Sequence, residues 1–451
     1  MQLVFRPSTA LASAAAIAVW TQLAAQPATA AQESNRLEID LPAAVRLADE
    51  RNVDVAIFLA RVEAATARLA QARLAAVPSL RVGTTEERHE GTIQETSGNV
   101  VDVDRAARFR GVTAGVGIDI ADAIFRPLVA RQSRTAAVAA SAANRQQVLM
   151  QVASAYVRLV QVRSELGVIG RVLERAADLA VLTANYADSG EGLPADAEMA
   201  AVQPALWNQR RAVAEERIAA ANAELGRLLH LDAQVELVPV ESEPPALEIF
   251  SGTEDVAELI ERAQSGRPEN EQAEALLAAA EGDLSAERYG WFVPSLSFSV
   301  SSGDFGGGPG SSILNTDNRQ DRSLTLYWQL DGLGFGQRAR IEERRAHLRE
   351  IVLQREKLRD AIAAEVRESH ARVASLKRQI ELADTAVAHA RRAYELNRTR
   401  IYDQQGLPLE VLQAMQTLAS AELGALEARA GLTVAQIRLH TALGNPLTGV
   451  L

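Results

Sequence analysis

From Ile362 onward, apolar positions recur in alternating steps of four and three, through Val366, Ser369, Val373, Leu376, Ile380, Ala383, Val387, Ala390, Tyr394, Asn397 and Ile401. Ten of these twelve positions are apolar, which is the seam of a coiled-coil helix. The pattern predicts one helix over 337–403, which at 1.5 Å per residue extends about 100 Å. Such a helix has to be packed along its length. Alanines such as Ala383 and Ala390 let neighbours approach closely, which suits a wall of packed helices better than a thick globular core.

A second pattern has period two. Leu296, Phe298 and Val300 alternate with Ser295, Ser297, Ser299 and Ser301, and Leu324, Leu326, Trp328 and Leu330 alternate with Thr325, Tyr327, Gln329 and Asp331. Val112, Ala114, Val116, Ile118 and Ile120 repeat it earlier in the chain. One face is apolar and the other wet. A soluble sheet packed on helices alternates in the same way, so context decides. The segments approach the ~9–11 residues of a membrane-spanning strand. Tyr289, Trp291 and Phe292 stand at one end, and polar loops are expected at 91–107 and 304–322. Four strands cannot close a barrel alone, and an open edge in lipid leaves backbone groups unpaired, so oligomerisation is part of the predicted fold.

The two patterns occur twice. Val77-Pro78-Ser79-Leu80 returns as Val293-Pro294-Ser295-Leu296, and Arg51-Asn52-Val53-Asp54 lies opposite Arg267-Pro268-Glu269-Asn270 at the same offset. Gly192-Leu193-Pro194 returns as Gly406-Leu407-Pro408, and Leu228-Leu229-His230-Leu231 lies opposite Thr441-Ala442-Leu443-Gly444. Near-constant spacing predicts a duplicated unit. The first repeat is expected over 31–231, with a helix at 41–76, a strand pair at 79–90 and 108–120, a long helix at 127–188 and a return helix at 194–230. The second is expected over 254–451, with a helix at 254–290, strands at 294–303 and 323–331, the long helix, and a return helix at 408–444. The Pro- and Glu-rich stretch 232–253 reads as a connector.

Residues 1–30 carry Arg6, an Ala-rich apolar stretch and Ala28-Thr29-Ala30, the pattern of a secretory signal peptide. Beyond it, no stretch reaches the ~20 apolar residues of a membrane helix, so any crossing has to use strands. With 58 acidic against 47 basic residues, the net charge of −11 argues against nucleic acid as a partner. Cysteine is absent, which removes disulfides, thiolate metal sites and a lipidated N-terminal cysteine. The six histidines show no metal-ligand spacing. Gly332-Leu333-Gly334-Phe335-Gly336 lacks the spacing of a dinucleotide turn and reads as a strand-to-helix turn, while Gly306-Gly307-Gly308-Pro309-Gly310 reads as a flexible external loop. No catalytic constellation, cofactor site or metal site is expected, and the chain is not read as an enzyme.

In order and duplication, and in the segment from Gly406-Leu407-Pro408-Leu409-Glu410 through Leu439-His440-Thr441-Ala442-Leu443-Gly444, the chain resembles the TolC-like outer-membrane efflux proteins. Gly190-Glu191-Gly192-Leu193-Pro194-Ala195-Asp196 is a looser match. The resemblance implies a mainly α protein with a membrane β part. It implies a homotrimer whose three sets of four strands form a 12-stranded barrel in outer-membrane lipid, above a long periplasmic α-helical barrel. It further implies a passive duct of an efflux or type I secretion system in a Gram-negative-type cell, gated at its periplasmic tips. Its expected partners are a periplasmic adaptor (membrane fusion) protein and an inner-membrane pump. By the same resemblance, Gly192, Leu193, Pro194, Gly406, Leu407 and Pro408 are candidate docking residues. Glu410, with Gln413 and Asp196, is a candidate for the aperture. Glu410 has a second reading, as a helix N-terminal acid that complements the dipole. The rival architecture is a periplasmic coiled-coil adaptor or scaffold, which requires no paired amphipathic strands.

Overall fold

The computed structural model describes residues 36–449 apart from 311, 330–333, 404 and 405, with backbone alone at 85–91, 93, 103–106 and 449. The expected leader 1–30, Leu330 and Asp331 of the last strand, Gly332 and Leu333, and part of the second tip turn lie outside the described residues. The chain runs through β1 (Arg36–Ile39), α1 (Leu41–Arg51), α2 (Val53–Arg73), β2 (Ser79–Gln94), β3 (Val100–Asp119), α3 (Ile120–Asp188) and α4 (Pro194–Leu228). It continues through β4 (Glu236–Pro239), α5 (Val256–Gly266), α6 (Pro268–Tyr289), β5 (Ser295–Pro309), β6 (Leu314–Tyr327), α7 (Phe335–Tyr402) and α8 (Pro408–Ala442).

The seam read from sequence is the packed face of α7. Ile362, Val366, Ser369, Val373, Leu376, Ala390, Tyr394 and Ile401 are buried, and the other four seam positions are half-buried. The 69-residue α3 and the 68-residue α7 run the length of the protein. Near the sheet the packing order is α2, α3, α6, α7; beyond the middle it is α4, α3, α8, α7. Between the lower helices lies a core of small and medium side chains, with Ala176, Ala200, Ala414 and Ala419 around Trp207, Tyr394 and Met415.

Each expected lead-in helix is in fact two helices, for local reasons. Asn52 has extended backbone between α1 and α2, and its Oδ1 accepts from the N–H groups of Asp54 and Val55. Its Nδ2 donates to the Leu228 carbonyl at 2.8 Å. At the second site Arg267 is extended and Pro268 opens α6, because the residue before proline avoids helical backbone. The connector also carries structure that period-two reading does not reach: β4 pairs in parallel with β1. Tyr156, fully buried, sets its hydroxyl between the Ile39 carbonyl and the Glu241 carboxylate; burial first, then that carboxylate, pushes the phenol pKa up.

The four long strands form one antiparallel sheet in the order β2-β3-β5-β6. They exceed the predicted spans. The segments expected as polar loops at 91–107 and 304–322 continue the ribbons past register shifts at Glu90/Gly91 and Phe305/Gly307, and the glycine run expected as a flexible loop lies largely within β5. These outer parts have no sustained apolar alternation, so periodicity carries little signal for them, although backbone pairing continues.

Replacing Asn52 with Ala removes a cap and a buried side-chain bond, so chemical unfolding is expected to show a loss of about 1–3 kcal/mol; an unchanged midpoint contradicts this role. Ahead of α5, the Glu254 carboxylate accepts from the Ser251 and Gly252 N–H groups and the Ser251 hydroxyl. Burial alone would raise its pKa, but these bonds and the N–H of Glu254 itself outweigh burial and hold it at about 2. Since an unfolded Glu titrates near ~4.3, this contribution is full above that pH and declines as pH falls toward about 2. The stability gap between wild type and Glu254→Gln should therefore shrink over that window; a constant gap rejects the assignment.

Candidate conduit wall and tips

The register of the sheet brings the apolar positions of all four strands onto one face. Leu80 pairs with Val116, Val116 with Phe298, and Phe298 with Leu324; two residues along, Ile118 pairs with Leu296 and Leu296 with Leu326. The other face carries rows such as Ser79, Gly117, Ser297 and Thr325. No described helix of the chain covers the apolar face, where Leu80 and Leu324 are more than 70% exposed. Below it, Tyr289, Trp291 and Phe292 are joined by Tyr327 and Trp328, and the indole N–H groups of Trp291 and Trp328 donate to the Arg288 and Phe292 carbonyls. Apolar surface bounded by anchored aromatic rings is the chemistry of a membrane boundary.

Two long edges flank this surface. β2 and β6 each pair on one side only among the described residues. β2, α2 and α4 form one margin of the chain, β6 and α7 the other. Both margins carry exposed apolar side chains, with Met199, Val202, Leu206 and Val213 at heptad-like spacing on α4, and Leu382 and Leu396 two heptads apart on α7.

The helix ends opposite the sheet reverse in two turns of matching construction. Pro194 and Pro408 open α4 and α8, each preceded by an extended leucine. A Cβ on Gly192 would come within 3.0–3.2 Å of Tyr186 and Ala187, and one on Gly406 within 3.0–3.1 Å of Arg400 and Ile401. Both turns therefore need glycine for close approach to the preceding helix. Leu193 and Leu407 project at the tips, 65% and 59% exposed. One bond ties the two turns together, the Tyr186 hydroxyl donating to the Ile401 carbonyl at 3.1 Å, and Arg400 pairs with Glu410 across the second turn at 3.1 Å.

Around α8, three directions are distinct. Gln413, Ser420, Gly424, Glu427 and Arg438 are exposed on one face. The opposite face meets the connector, where Thr433 donates to the Pro245 carbonyl and Gln436 bonds both the N–H and carbonyl of Phe250. The flanks are buried against α3 and α7. Gln413 thus shares a face with Glu427, whereas Glu410 engages α7 through Arg400 and sits in the first turn of α8. Asp196 is half-buried in the first turn of α4 and is not joined to Glu410 by any described bond.

Sequence reading missed Glu422. Its side chain is 8% exposed and pairs with Arg171 of α3 at 3.4 Å and Arg391 of α7 at 3.3 Å, so one carboxylate grips both long helices. Its signal is an acid seven residues after the buried Met415 on the same helix. Nearby, Arg429 pairs with Asp384 and with Glu243 of the connector.

Residues 259–445 match the family model described as outer membrane efflux protein. Among solved structures, the outer-membrane channel OprN is 19% identical with a TM-score of 0.75, covering 90% of each chain. VceC of Vibrio cholerae, an outer membrane protein, is 16% identical with a TM-score of 0.71, over 90% of this chain and 96% of its own. CusC is 19% identical with a TM-score of 0.72, over 94% and 95%. At these identities the likeness is one of fold. No curated protein sequence matches the chain. Residues 259–445 thus carry the outer membrane efflux protein signature, and about nine-tenths of the chain has the fold of these channels.

Proposed function

We propose that the protein is the outer-membrane duct of an efflux or type I secretion assembly, built as a homotrimer of duplicated halves. The observation that carries this reading is the pair of uncovered margins running from the sheet to the tips, on either side of an uncovered apolar sheet face. In hydrocarbon the free N–H and C=O groups of β2 and β6 are tolerable only when paired, and β6 of one copy with β2 of the next pairs them. Three copies give 12 strands, an even number within the range of such barrels. The same rotation sets α7 against the neighbour's α4, apolar stripe to apolar stripe. A scaffold without a membrane part leaves the apolar sheet face without a role.

In this arrangement residues 1–30 direct export, 31–231 and 254–451 are the two repeats, and 232–253 wraps the outside of the wall. The connector, β1, β4, α1 and α5 add bulk to the convex side, so the face with Gln413, Ser420 and Glu427 lines the bore. Conduction is passive, without a catalytic step. The tips, with Gly192, Leu193, Pro194, Gly406, Leu407 and Pro408, meet a periplasmic adaptor that joins an inner-membrane pump. The Tyr186–Ile401 bond and the Arg400–Glu410 pair hold the tips closed. Glu410 belongs to this latch, Gln413 to the bore surface and Asp196 to the start of α4.

Tyr186→Phe combined with Arg400→Ser removes both latch contacts. In planar bilayers the double variant is expected to raise single-channel conductance several-fold over wild type. Absence of conductance in both proteins contradicts the duct, and equal conductance contradicts the latch. Photocrosslinkers at Leu193 and Leu407 should capture the adaptor in cells that assemble the pump. Failure at both positions, with capture elsewhere on the wall, removes the docking assignment.

A further inference from the structure

On the face of the wall turned away from the connector, α3, α7 and α8 enclose a groove of about 930 Å³. Gly424, Ala428 and Gly431 leave its floor without long side chains, and Val157, Leu376 and Val434 give it an apolar lining. Arg158 enters from α3, Arg372 from α7 and Arg438 from α8, against one acid, Glu427.

Among the described residues, these arginines are not tied to carboxylates as the arginines bracing the helices are. Across the wall, Arg171, Arg391 and Arg429 each meet a carboxylate within 3.4 Å. In the groove, Arg158 donates to the Gln161 amide, and Arg372 and Arg438 have no carboxylate partner among the described residues. All three are exposed. Two unpaired guanidinium groups and a third satisfied by a neutral amide, converging on one groove in a protein of net charge −11, run against the charge balance of the chain.

From this convergence we infer that the groove is a binding site for organic anions, with arginines holding a carboxylate, sulfonate or phosphate group and the apolar lining holding the body of the ligand. Guanidinium forks match such oxyanions in planar, bidentate geometry. Val434 and Ala371, the apolar lining side chains that are not buried, favour an aromatic or aliphatic anion over a bare inorganic one. The inference rests on the duct reading for its role: three copies set their groove arginines around the bore at one level, a station that concentrates anionic cargo between the tips and the membrane. The binding itself does not depend on conduction.

The test is isothermal titration of the purified, detergent-solubilised protein with naphthalene-1,5-disulfonate, at low salt because exposed charges are screened. One saturable site per chain is expected, weakened about tenfold in Arg372→Gln/Arg438→Gln, the sum of two exposed ion pairs. Glu427→Gln is expected to change affinity in the opposite direction, which separates loss of charge recognition from loss of folding. Equal displacement by sulfate overturns the organic-anion assignment. The absence of saturable binding, or equal affinity in all three proteins, overturns the site. In bilayers the double variant should also lower the anion-to-cation permeability ratio measured from reversal potential. A protein that binds the probe but never conducts retains the site and loses the duct.

Discussion

A β-strand in hydrocarbon has to pair every backbone donor and acceptor, and among the described residues the four-stranded sheet leaves one side of β2 and one side of β6 open. The apolar row from Leu80 through Val116 and Phe298 to Leu324 makes the sheet unsuited to water on that face, while the edges of β2 and β6 make a lone copy unsuited to lipid. In the proposed trimer, neighbouring copies resolve this conflict, and the rest of the molecule follows from that solution. The helices continue the two margins of the sheet away from the membrane, so whatever closes the strands also closes the helical wall.

The helical part explains how so long a wall holds its shape with little core. Small side chains bring the helices close, and a few buried polar groups fix their register: Asn52 ties α2 to the end of α4, Tyr156 ties α3 to β1 and the connector, and Glu422 ties α8 to both long helices. The links of Asn52 to Leu228, Tyr156 to Ile39 and Glu422 to Arg171 join elements far apart in sequence.

The features legible in the sequence are those that repeat with a fixed period. The seam from Ile362 to Ile401 marks the packed face of α7, and the alternation around Phe298 and Leu324 marks the apolar side of the sheet, because burial and pleat impose those spacings directly. The outer halves of the strands were hidden, since backbone pairing of polar residues such as Asn318 with Asp304 or Gln320 with Ser302 leaves no apolar rhythm. β1 and β4 were too short to show one. The breaks at Asn52 and Arg267 depended on single residues inside otherwise helical runs. The site was the least legible part. The partner of Glu410 is Arg400, across a turn, and the exposure of Gln413 depends on how α8 is rotated between α3 and α7, which only packing determines.

The most direct test of closure by neighbouring copies uses the absence of native cysteine. Single cysteines placed along β2 and β6, one on each strand in the same chain, are oxidised in intact outer membranes and resolved by denaturing electrophoresis. Within one copy the two strands are separated by β3 and β5, roughly 14 Å at the usual strand spacing, too far for a disulfide. Pairs that share a register are expected to give covalent dimers and trimers and nothing larger. Monomers at every pair tested, or ladders extending beyond the trimer, would contradict closure by three copies.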